Sequence, residues 1–142
     1  MFTRKKNPKR VVAFILVILL CMSVTAPMAS ARGSLYISSY LAYITAISNG
    51  KVVITFEIVG MGKMDEIGAT TIYLYENGST IKTYSYSTTS GMMASNKWSH
   101  GNEITYNGVV GRTYSALVVF KSGVNGGWDN RSLDTQTVTA KN

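Results

Sequence analysis

The chain has a single histidine, His100, so any Ser-His-Asp arrangement would have to use it. It sits in the polar segment SNKWSHGN, where the acid closest in sequence is Glu103. That setting predicts a solvated loop histidine rather than a general base. Asp65, Glu66, Glu103 and Asp129 offer carboxylates for glycoside hydrolysis, but that chemistry also needs a cleft to hold and distort the sugar. A chain of 142 residues has little room to build one. Asp65-Glu66 and Asp129-Asn130 could share a calcium ion, yet neither fits a spaced calcium loop. With one cysteine, Cys21, and one histidine, a zinc-type ligand set is missing. The expectation is no enzyme, no catalytic residue, no metal and no cofactor.

Recognition chemistry is better supplied. Trp98 and Trp128 are large amphipathic rings set among small polar residues, in SNKWSHGN and GGWDN. Either they stand exposed as platforms for a sugar ring or a protein partner, or they fold inward as large apolar side chains usually do. The same choice faces Met92 and Met93, for which the inward reading is the stronger.

The formal charge of +7 over 142 residues looks like a signal for nucleic acid, but its location argues otherwise. Arg4, Lys5, Lys6, Lys9 and Arg10 lie in the first ten residues. The uncharged run VVAFILVILLCM follows, and then a stretch ending in Ala29-Ser30-Ala31. A basic start, a short apolar middle and a small-x-small exit are the parts of a secretory signal peptide. The apolar run is shorter than the ~20 residues a spanning helix needs, and Pro27 would break an extension. Leu20 before Cys21 is too large for the lipoprotein signal. Cleavage is expected between Ala31 and Arg32, giving a signal peptide over 1–31 and one domain over 32–142. Residues 32–142 hold nine basic and seven acidic side chains, a net charge of +2. The expected product is secreted and extracellular, with no case for nucleic acid and no membrane attachment after cleavage.

The domain segment is rich in Val, Ile, Thr and Tyr, residues that pack well on a pleated surface. Strict alternation is clearest in Lys51–Val59, with Val52, Ile54, Phe56 and Ile58 on one face, and in Tyr114–Lys121, with Tyr114, Ala116, Val118 and Phe120. Further strands are expected over 35–48, 70–76, 79–86, 103–107 and 131–140. Asn49-Gly50 and Asn77-Gly78 are hairpin turn pairs. Segments 60–69, 88–102 and 122–130 read as long loops, with Ile67 plugging the core.

Val110-Gly111-Arg112-Thr113-Tyr114, leading into Ala116, Val118 and Phe120, resembles the entry to the sixth strand of fibronectin type III and related immunoglobulin-like domains. The resemblance implies an all-β, seven-stranded antiparallel Greek-key β-sandwich, with Tyr114 as a structural corner tyrosine. Tyr36–Tyr40, Lys63–Ala69 and Thr88–Met93 are similar to segments of an uncharacterised family of small exported proteins of Gram-positive gut bacteria. That likeness implies secretion and fold, without an activity. In such a sandwich alternate connections share an end, so the three long loops would meet at one pole with Trp98, His100 and Trp128. Loops on a rigid scaffold are where recognition tends to sit. The expected function is a secreted, non-enzymatic module that binds an extracellular glycan or protein there. The alternative is a structural envelope or matrix protein that self-associates through its sheet edges.

Overall fold

Side-chain alternation carries residues 33–142, the part that the computed structural model describes, through nine strands. They are β1 (Ile37–Ala46), β2 (Lys51–Met64), β3 (Glu66–Glu76), β4 (Ser79–Ser85), β5 (Met93–Ala94), β6 (Lys97–Asn107), β7 (Thr113–Val124), β8 (Gly127–Asp134) and β9 (Val138–Thr139). The expected signal peptide 1–31, with Cys21 and the Ala31–Arg32 cleavage point, lies outside the described residues.

The fold is all-β, with every pairing antiparallel. One sheet has the order β1-β2-β6. The other runs β4-β3-β7-β8, with β5 added on β3 and β9 on β7. Their inner faces form one core. Ile44, Val52, Ile54, Phe56 and Ile58 come from the first sheet, and Ile72, Leu74, Tyr114, Val118 and Phe120 from the second. Phe56 and Phe120 meet edge to face across the two sheets, with ring centroids 6.3 Å apart. Burying each such side chain stabilises the fold by about 1.5–3 kcal/mol.

Three hairpins turn on Asn-Gly. Asn49 and Gly50, Asn77 and Gly78, and Asn125 and Gly126 all have φ between 48° and 83°. Positive φ at both central residues gives the turn a twist that matches the strands it joins. Asp65 ties two connections together at the β2–β3 corner. Its N–H donates to Gly123 O at 2.9 Å, and its carboxylate accepts the Asn125 N–H at 2.8 Å. The start of the domain is held by Asp129, whose Oδ2 accepts from Ser34 Oγ at 2.5 Å and from the Leu35 N–H at 2.9 Å.

Several expected boundaries move. The segment 60–69 is strand at both ends, with a register break between Val59 and Met64 and only Asp65 outside the strands. The expected last strand, 131–140, is two strands broken at Thr135. There the Thr135 N–H donates to Ala116 O and its hydroxyl accepts the Ala116 N–H. With β5 and β9 the described strands number nine, not seven.

Candidate functional site

Trp98 and His100 lie on β6, and Trp128 lies on β8; none of the three is in a loop. β6 starts at Lys97, six residues before the expected strand, because it pairs with β2 as far as Val59 and Met64. His100 sits opposite Ile58 and packs its ring edge to face on Phe56, with centroids 6.1 Å apart. Its Nε2 is 2.7 Å from Gly91 O. A carbonyl oxygen can only accept, so Nε2 carries the hydrogen. Asn102 Nδ2 donates to the same carbonyl at 3.0 Å. The two side chains therefore pin the segment 86–92 to the edge of the first sheet. His100 is a partly buried anchor rather than the solvated residue the sequence suggests.

Trp128 faces outward from the second sheet and is 58% exposed. It is in register with Gly123, where a Cβ would come within 2.8 Å of the Trp128 Cβ. Lys121, on the same face, places Nζ 5.3 Å from the indole centroid and 2.6 Å from Glu66 Oε2. A cation over an indole is attracted by the ring's negative face. On one side of the Lys121–Glu66 pair lies a hollow of about 310 Å³, bounded by Asp65, Trp128 and the hairpin glycines. On the other lies a hollow of about 270 Å³, lined by Thr70, Tyr86, Met93 and Ser95. Tyr86 is 57% exposed at its rim.

No family model matches the chain, and no curated protein matches it.

The three segments expected at one pole do meet, through Asp65 with Gly123 and Asn125, Gly68 with Met93 and Met64 with Lys97, but the two tryptophans do not share a site there. Trp98 is 64% exposed but lines neither hollow, and it stands on the first sheet while Trp128 stands on the second. Met64 and Met92 are buried, Met93 is half-buried, and Met61 is exposed. Lys121 and Tyr86 were not singled out by the sequence, and Glu66 was weighed only as a catalytic or calcium-binding carboxylate. The signal was available: Asn125-Gly126 has the chemistry of the two other turns, and reading it as a hairpin aligns Gly123 with Trp128.

Tyr114 is fully buried, and its hydroxyl accepts the Val109 N–H at 2.8 Å, five residues upstream. The same hydroxyl donates to Glu76 Oε2, and Arg112 Nη1 donates to Glu76 Oε1, both at 2.5 Å. The Tyr114 hydrogen bond, with that of Arg112, holds Glu76 below the usual carboxylate range. Burial, then the bond to Glu76, pushes the Tyr114 phenol up. Among the described residues no group of three or more His, Cys, Asp or Glu is placed to hold a metal ion.

Proposed function

We propose that this chain is an exported, non-enzymatic binding module of the fibronectin type III-like Greek-key kind, and that it holds an extracellular glycan against Trp128. The strand orders β1-β2-β6 and β4-β3-β7-β8 support the sandwich reading, as does the Tyr114–Val109 bond at the entry to β7. The reading of residues 1–31 as an export signal rests on their sequence alone.

One observation carries the glycan reading: an exposed indole on a rigid strand, with an ion pair dividing two hollows beside it. The apolar face of a sugar ring stacks on such a surface, while its hydroxyls need donors and acceptors at the rim. Lys121 and Glu66 supply both. The Lys121 ammonium also fixes the indole, so little ordering entropy is lost on binding.

The test is retention of secreted protein on insoluble glycans, with peptidoglycan sacculi and immobilised mucin as the two arms. Trp128→Ala should lose retention with an unchanged melting temperature. Trp98→Ala should keep it. Equal retention of wild type and Trp128→Ala overturns the reading.

A further inference from the structure

The outer face of the first sheet carries a third hollow, about 830 Å³, which Trp128 does not line. Its floor is Gly101, where a Cβ would fall 2.9 Å from Phe56 O, so the register itself keeps the floor empty. Leu41, Glu57 and Gly101 stand side by side across β1, β2 and β6, and Tyr43, Thr55 and Glu103 form the next row. One wall is thus apolar, with Leu41 and Tyr43 both more than 40% exposed. The other is acidic.

Glu57 and Glu103 are diagonal neighbours on this face, a spacing of about 7–8 Å. Neither has a basic partner within salt-bridge distance among the described residues; Glu103 has only a 3.3 Å contact from the Thr55 hydroxyl. Lys97 lines the opposite end. It lies six residue steps from Glu103 along β6, about 20 Å at strand spacing. The groove is long, apolar along one side, negative at one end and positive at the other.

We infer that this groove takes an extended peptide segment, with a basic side chain between Glu57 and Glu103, an apolar neighbour on Leu41 and Tyr43, and a carboxylate on Lys97. Charge selects this occupant. A neutral sugar chain has no cation for the two glutamates, and a wholly basic peptide would meet Lys97. The inference stands apart from the Trp128 surface.

The probes are fluorescein-labelled, end-blocked hexapeptides RLSGSE and its reversal ESGSLR, with QLSGSQ as the neutral control, read by fluorescence polarisation at low salt. One of the charged peptides should saturate, and the neutral one should bind at least tenfold more weakly. E57Q/E103Q should weaken the charged peptide at least tenfold, and K97Q and L41S should each weaken it several-fold. Trp128→Ala should leave it unchanged. Circular dichroism melts establish that each variant is folded, and the single variant E103Q replaces the pair if the double one is not. Failure of both charged peptides to saturate overturns the inference. So does equal binding of the neutral control, or full binding by the folded glutamine variant.

Discussion

The Tyr114 hydroxyl donates to Glu76 while accepting from the Val109 backbone, so one buried oxygen joins β3, β7 and the connection before β7. Gly108 packs close to that ring; a Cβ there would meet Tyr114 Cζ at 2.8 Å. Tyr114→Phe keeps the packing against Tyr106 but strands the Val109 N–H and takes one hydrogen bond from Glu76, which keeps Arg112. Leaving such a donor without a partner costs about 1–3 kcal/mol. Urea denaturation should show a lower midpoint with the same slope. An unchanged midpoint would mean that water replaces the hydroxyl at no cost.

The same carboxylate predicts the acid limb of stability. Glu76 is held below the ordinary range, chiefly by the Tyr114 hydrogen bond and then by Arg112. Asp129 is held low too, first by Ser34 and further by the Leu35 and Tyr36 amides. A carboxylate depressed in the folded state adds stability that is present above its unfolded pKa, about 4, and is lost as pH falls through the folded value. Thermal melts should therefore drop below about pH 4. Glu76→Gln should start lower and fall less steeply. Tyr114, raised on folding by burial and then by Glu76, works in the opposite direction. Its contribution is complete below about pH 10, the unfolded phenol's value, and fades as pH climbs through the folded one.

Much of the interior was legible because its pattern is simple. Val52, Ile54, Phe56 and Ile58, and Tyr114, Ala116, Val118 and Phe120, alternate cleanly and are all buried. The edges were not legible. SNKWSHGN and GGWDN are polar on both faces, in strands β6 and β8 that each have one neighbour and little cover, so composition read them as loops. Pairing with β2 and β7 makes them strands, a tertiary effect that propensity does not contain. Trp128 was visible as a residue. Its partners Lys121 and Glu66 follow only once the β3–β7–β8 register is known.

His100 should behave as an anchor. With its ring nitrogen on Gly91 O, removing it leaves Asn102 as the sole side-chain donor to that carbonyl. His100→Ala should cost about 0.5–1.5 kcal/mol, the net worth of one hydrogen bond. The local effect should be larger: hydrogen exchange by mass spectrometry should show faster uptake in peptides spanning 86–92, with β2 and β7 unchanged. Uptake identical to wild type would remove the anchoring role.

Sheet edges decide whether copies of this domain join. An open strand edge is a template for another chain unless it is covered, bulged or charged. β1 is one edge of the first sheet, and its Ile44 carbonyl already accepts from Gln136 Nε2 at 2.8 Å. β6 is the other, and the segment 86–92 is tied against it through Gly91. In the second sheet β4 is an edge, interrupted by a register shift opposite Leu74 and Tyr75 that leaves Ile81 out of the pairing. Lys82 follows directly, with its ammonium 5.2 Å from the Tyr84 ring centroid. These devices argue against the self-associating alternative, so sedimentation velocity of the domain 32–142 should give a monomer across a hundredfold concentration range. Replacing Ile81 and Lys82 with residues that straighten and neutralise β4 should introduce association. A wild-type mass that rises with concentration would instead favour an edge-to-edge structural protein.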